Sequence, residues 1–158
     1  AGALAGRVGP RPLIAIGAIA AGAGFASLAH AITTEQFFSA ILPATAAIGF
    51  GVGCVVAPLS TAVISAAPEE HAGTASGINN AVARMAGLMG VAALGLAAQL
   101  GYTSVYEAGS FGALTDSEQH RLAMVAGFQA VALIAAVSAL MGAGVAWFGL
   151  TPKAKGAP

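Results

Sequence analysis

The sequence predicts an all-α integral membrane protein with four transmembrane helices. Hydrophobic residues make up 58% of the 158-residue chain and charged residues 8%, whereas a soluble domain usually carries about 25% charged residues. The mean hydropathy is +0.85, and the apolar residues form four segments that each reach the roughly 20 residues needed to cross the hydrocarbon core. A soluble helical bundle would need polar faces at helical spacing, which the first and last segments almost entirely lack.

The four predicted spans follow one another along the chain, at residues 12–32, 41–66, 73–99 and 122–150. Three of them carry no charged residue, and the third is interrupted by Arg84. The long connection before the fourth span contains Thr115-Asp116-Ser117-Glu118. This order of residues fits a capping box with Thr115 as the N-cap, so we expect the fourth helix to start near Asp116.

The positive charges predict the orientation of the spans. An even number of spans places both chain ends on one side, and that side carries Arg7, Arg11, Lys153 and Lys155 against Arg121 alone on the other. Because Lys and Arg are enriched in cytoplasmic segments, we expect both ends in the cytoplasm. The cytoplasmic segments are then residues 1–11, 67–72 and 151–158, and the outer segments are 33–40 and 101–121.

Small residues on the second predicted helix form one face, because they recur every three or four positions at Ala46, Gly49, Gly53, Ala57 and Ser60. Small residues let helix backbones approach closely in a membrane, and the cluster at residues 49–53 is typical of a close contact or a bend. Pro58 removes a backbone donor and predicts a kink in the same helix. A bend around a cavity and a proline with only a packing role both fit this pattern.

The third predicted helix carries polar residues and glycines together on one side, with Asn79 as the exception. At about 100° per residue, one face contains Gly73, Gly77, Asn80, Arg84 and Gly87. A central Arg costs about 2.5–3.5 kcal/mol on insertion scales, which offsets the roughly −2 to −4 kcal/mol from the apolar residues of the span. Arg84 lies about 16 Å along the axis from Gly73 at 1.5 Å per residue. This helix therefore needs a bundle that shields the guanidinium.

Two roles stay open for the membrane-embedded polar residues. Arg84 either lines a transport path or locks helices together through neighbouring carbonyls. Asn80, one turn earlier, could bond to the same partner, and Gln129 in the fourth span is a further candidate for the path. Both interpretations require that the charge faces protein or water and not lipid.

The remaining polar residues give no sign of an enzyme, a metal site or a cofactor. The three histidines lie at span ends without the spacing of metal ligands, and Cys54 is the single cysteine. No nucleophilic side chain and general base are spaced in the sequence as a catalytic pair. The formal net charge is zero, so no basic surface predicts nucleic acid as a partner.

The first residues resemble the loop signature of the major facilitator superfamily, Gly-x-Leu-Ala-Asp-Arg-x-Gly-Arg-Arg. The matching positions are Gly2, Leu4, Ala5, Arg7, Gly9 and Arg11. Gly6 stands in place of the Asp, and Pro10 replaces the first Arg of the final pair. In this family the second-half copy of the signature is usually the more degraded one, so the departures fit a C-terminal half.

Residues 68–77 are similar to a turn, Pro-x-x-x-x-Gly-x-Ala-Ser-Gly, of the fourteen-span drug/proton antiporters in that superfamily. In this branch an Asn and an Arg follow one helical turn apart, as Asn80 and Arg84 do here. The resemblance covers nearly the whole chain. It implies that the four helices are the last four of such a transporter, within the C-terminal half of the major facilitator fold.

The resemblance implies proton-driven efflux of small, often hydrophobic compounds by alternating access. Its partners would be the lipid bilayer, the transporter's missing N-terminal helices, a small-molecule substrate and protons. All six acidic residues lie outside the predicted spans, so we expect the proton-carrying carboxylate outside this chain. Since Ala1 to Ala5 fit the end of a helix already in progress, we expect a fragment of a longer protein. The alternative is a stand-alone four-helix membrane protein with a structural or partner-binding role.

Overall fold

The computed structural model describes residues 9–34 and 36–150. Its long helices are α1 (Pro10–Ala31), α2 (Leu42–Ser65), α3 (Ala72–Thr103) and α4 (Glu118–Gly149). A π-helical turn at Phe37–Ile41 leads into α2, and a 3₁₀ turn at Glu69–His71 precedes α3. With these turns, four helical segments are long and apolar enough to cross a membrane. The structure thus confirms the predicted all-α class with four spans.

α1 is the central helix of the described chain. It packs along both α2 and α4, whereas α3 packs mainly against α4 and touches α2 over a shorter stretch. In the apolar stretch of α1, 44% of the residues are buried, and in that of α4 the share is 22%. The share is 11% in each of the two spans that contain α2 and α3. Most of the surface of α2 and α3 is therefore not covered by the described residues.

Glycines allow α1 and α2 to pack backbone against backbone. A Cβ at Gly51 would lie 2.5 Å from the backbone nitrogen of Ala21 and 2.5 Å from the carbonyl oxygen of Gly17. One further contact uses Gly24, where a Cβ would lie 2.9 Å from the carbonyl oxygen of Ala44. Since no side chain fits into such gaps, the absence of Cβ atoms sets the distance between these helices.

The start of α1 depends on the conformation of Gly9. This residue is the N-cap and has φ 87°, a left-handed conformation that glycine adopts at little cost. Pro10 follows in the first turn, where its missing N–H removes no helical hydrogen bond. Gly9 and Arg11 are thus described, while the other loop-signature residues lie outside the described residues, at Gly2, Leu4, Ala5 and Arg7.

The capping prediction for α4 is wrong by two residues. α4 begins at Glu118, and its N-cap is Ser117, which has extended backbone angles of φ −111° and ψ 152°. The Ser117 hydroxyl accepts a hydrogen bond of 3.1 Å from the backbone N–H of His120. Thr115 and Ser117 are both good caps in isolation, so residue type alone did not distinguish the position that is used.

Candidate functional site

The residues Gly73, Gly77, Asn80, Arg84 and Gly87 of α3 form what we term the glycine–arginine face. Asn80 and Arg84 are exposed, and a Cβ at any of the three glycines would meet no other atom within 4 Å. The described residues therefore leave this face without a packing partner.

The same side of α3 is covered further along the helix. Tyr102 lies 18 residues, or about five turns at 3.6 residues per turn, after Arg84, so both side chains leave α3 in nearly the same direction. Tyr102 is completely buried beside α4, whereas Arg84 is exposed. The open part of this side thus lies in the middle and in the first half of α3.

Arg84 has no acidic partner among the described residues. Among these residues, Arg121 forms an ion pair with Glu118 at 3.6 Å, and Nε2 of His71 lies 3.8 Å from a carboxylate oxygen of Glu70. Both pairs are exposed and lie at helix ends, whereas Arg84 is about 18 Å along the axis from Ala72 at 1.5 Å per residue. A guanidinium at such depth in a membrane normally faces protein or a water-filled cavity and not lipid.

The predicted small face of α2 is also open. A Cβ at Gly49 or at Gly53 would meet no atom within 4 Å, because the contact with α1 uses Gly51 on the opposite side of the helix. Pro58 is less than 2% exposed and lies inside the continuous helix α2. The packing roles of Gly49 and Gly53, and the kink at Pro58, remain predictions, as do the packing roles of the glycines on the glycine–arginine face.

Gln129 joins two helices. Its side-chain amide donates a hydrogen bond of 3.1 Å to the carbonyl oxygen of Ala29. Ala29 lies in the last turn of α1, where helix carbonyls lack a partner within their own helix. The structure thus places Gln129 at the contact between α4 and α1. Its role in a transport path remains a prediction.

A cluster of polar and aromatic residues joins the end of α3, the long loop and the start of α4. The hydroxyl of Tyr102 and Nδ1 of His120 are 2.7 Å apart in a buried hydrogen bond. Phe111 packs on Tyr102 with ring centroids 6.3 Å apart, and its backbone N–H donates to the side-chain oxygen of Gln99 at 3.0 Å. The sequence pattern did not connect these residues, because they are separated by the loop and share no periodicity.

The opposite ends of α1 and α4 meet through a cation–π contact. The guanidinium carbon of Arg11 lies 4.6 Å from the centroid of the Trp147 ring, a distance at which the ring quadrupole attracts the charge. Nε of Arg11 is buried without a hydrogen-bond partner. Arg11 was predicted as a residue of the loop signature and as a determinant of orientation, and the structure gives it this additional contact.

Open pockets lie between the helices of the described residues. One of about 660 Å³ is bordered by α1, the π-helical turn and α2, with His30 and Ser39 among its lining residues. Another, of about 650 Å³, lies between α1, α2 and α4 and is lined by apolar residues such as Phe25 and Val55. Neither includes Asn80, Arg84 or Gln129. In the described part of the chain, no three His, Cys, Asp or Glu residues come together as a metal site.

The four helices of the described chain are long and apolar enough to cross a membrane, which indicates a multi-pass membrane protein. The model of the Major Facilitator Superfamily matches residues 1–158, and the protein therefore belongs to this family of membrane transporters, as the sequence predicted. The chain is 38% identical over 91 residues to the puromycin resistance protein pur8 of Streptomyces alboniger. That match covers 56% of this chain and 18% of the relative, so it spans less than a fifth of the relative's length. No solved structure matches the chain.

Proposed function

We propose that this chain is the C-terminal part of a secondary active transporter of the fourteen-span drug/proton antiporter branch. The transporter lies in the plasma membrane, with both ends of this segment in the cytoplasm. It exports small drug-like compounds in exchange for protons. The match to the transporter family along all 158 residues carries the proposal, and the relative named for puromycin resistance supports a drug as the substrate.

The unpacked faces of α2 and α3 support further helices in the complete transporter. Alternating access requires two opposed sets of helices around a central site, and four helices cannot supply both. The small face of α2 and the glycine–arginine face of α3 are open surfaces with small residues, which suit close helix packing in lipid. We assign these faces to contacts with the N-terminal helices of the same transporter.

Arg84 and Asn80 are the residues that we place closest to the transport path. They are exposed, one helical turn apart and near the middle of α3. In membrane proteins such residues face a bundle interior or a water-filled cavity, because lipid cannot solvate them. Either location makes the transporter sensitive to the loss of the charge.

The test is drug accumulation in cells that express the full-length protein. Cells with the intact transporter should retain less puromycin and less ethidium than cells with an empty vector, and collapse of the proton gradient should abolish the difference. Arg84→Ala should lower efflux, whereas Met85→Ala should not, because Met85 carries no charge and lies about 100° around the helix from Arg84. Accumulation equal to the empty vector for every compound and every proton gradient would refute drug efflux.

The stand-alone alternative makes a different prediction about the gene. It expects a start codon close to the codon for Ala1, whereas the transporter proposal expects additional apolar segments of membrane-spanning length upstream. Reading the upstream sequence separates the two without expressing the protein.

A further inference from the structure

We propose that the glycine–arginine face of α3 docks against a transmembrane helix that carries an Asp or Glu, and that Arg84 forms an ion pair with this carboxylate. The inference rests on the proposed function, in which other helices of the same transporter surround this chain. It adds the chemistry of the helix that covers α3, namely a carboxylate at the depth of Arg84.

The first argument is charge. The guanidinium of arginine remains protonated in proteins, so Arg84 needs an anion when water is excluded. In the described part of the chain the acidic residues lie in turns or at helix ends, and Glu70 is about 21 Å along the axis from Arg84 at 1.5 Å per residue. Snorkelling to the lipid headgroups serves residues near helix ends, but Arg84 is several turns from both ends of α3.

The second argument is shape. Gly73 and Gly77 precede Arg84 on this face and Gly87 follows it, and a Cβ at each of them would meet open space. A neighbouring backbone can therefore approach closely on both sides of Arg84. A short distance between the two helices brings an Asp or Glu side chain within reach of the guanidinium, whose planar fork matches a carboxylate. Asn80, one turn away, can donate a further hydrogen bond to the same group.

Backbone carbonyls are a poorer partner for Arg84 than a carboxylate. In a transmembrane helix the carbonyls already accept the hydrogen bonds of that helix. They are also neutral, so they leave the positive charge uncompensated in a medium of low dielectric constant. A carboxylate compensates the positive charge, because opposite charges attract strongly where water is excluded.

The experiment measures the protonation of membrane carboxyl groups in the full-length transporter. The purified protein is reconstituted into vesicles of phosphatidylcholine and phosphatidylglycerol and treated with dicyclohexylcarbodiimide, an apolar reagent that modifies protonated carboxyl groups. Mass spectrometry of the peptides then identifies each modified Asp or Glu. The proteins compared are the wild type, Arg84→Ala, Arg84→Gln, Arg84→Lys and the neighbouring control Met85→Ala.

We expect about tenfold more modification of one transmembrane Asp or Glu in Arg84→Ala and Arg84→Gln, because loss of a nearby cation favours the protonated form of a buried carboxyl. Arg84→Lys and Met85→Ala should stay near the wild-type level, since the first keeps the charge and the second leaves the pair intact. Arg84→Gln retains much of the side-chain volume, so it provides the measurement if Arg84→Ala does not fold.

If neither neutral variant increases the modification of any transmembrane carboxyl group, the ion pair does not exist and the inference is wrong. Puromycin transport in the same vesicles tests the proposed function separately. Wild-type vesicles that transport puromycin but show no change in labelling would overturn the ion pair alone. Vesicles without transport, in which the labelling does change, would overturn drug export and leave the ion pair supported.

Discussion

Gly51→Ala should weaken the contact between α1 and α2. The added Cβ would lie 2.5 Å from the Gly17 carbonyl oxygen and from the Ala21 backbone nitrogen, whereas ordinary contacts begin at 3.4 Å. Both obstructing atoms belong to the backbone, so no side-chain rotation relieves the overlap. The two helices would have to move apart by about 0.9 Å, which loosens neighbouring contacts over several turns.

The free-energy cost of Gly51→Ala combines an unfavourable overpacking and a favourable change in helix propensity. Overpacking a well-packed contact costs typically about 1–3 kcal/mol, while the exchange of Gly for Ala inside a helix stabilises it by about 1 kcal/mol. Gly144→Ala in α4 is the matched control, because a Cβ there would meet no described atom within 4 Å. The free energy of unfolding of Gly51→Ala should therefore be lower than that of Gly144→Ala by about 1–3 kcal/mol.

The assay is unfolding of the full-length protein by SDS in mixed micelles, followed by circular dichroism. Comparison of the two variants cancels the propensity gain, since both make the same exchange in a helix interior. Equal unfolding midpoints for Gly51→Ala and Gly144→Ala would show that α1 and α2 are not in backbone contact at Gly51, and the packing argument would fail.

Two further predictions concern the opposite ends of the bundle. Tyr102→Phe leaves the buried ring nitrogen of His120 without its partner, so we expect the free energy of unfolding in the same SDS titration to fall by about 1–3 kcal/mol. The loop between α3 and α4 should also be cleaved faster by proteases. Unchanged values for both would contradict the buried hydrogen bond. Arg11→Gln and Trp147→Leu each remove the cation–π contact, and a double-mutant cycle should give a coupling energy of about 0.5–2 kcal/mol. Strictly additive effects of the two substitutions would mean that the contact contributes nothing.

The features that the sequence predicted correctly depend either on the composition of a segment or on a motif that is continuous in the chain. Each helix is long and apolar, and the charge at Arg84 is an exception that can be recognised without any contact information. The family followed from motifs that are continuous in the chain, such as the turn at residues 68–77. The loop signature at the N-terminus contributed as well, although only Gly9 and Arg11 of its six matching positions are among the described residues.

The partners of individual side chains were not predictable in the same way. Tyr102 and His120 meet across a loop, and Arg11 and Trp147 come from opposite ends of the chain. The cap of α4 lies at Ser117 and not at Thr115, and the sequence could not distinguish them because both are adequate caps that stand two residues apart. Gln129 could equally have faced a cavity, and the rotation of α4 placed it against α1.

Membrane residence, the number of helices and the need to shield one guanidinium were determined by the amino-acid sequence alone, because hydrophobicity and segment length are local quantities that add along the chain. The tertiary structure decided which face of each helix meets a neighbour. In a helix that is apolar all round, hydrophobic periodicity does not mark the packed side. The contact with α1 is made by Gly51 and not by Gly49 or Gly53. The side of α3 that carries Arg84 is covered by the described residues at Tyr102 and left open by them at Arg84.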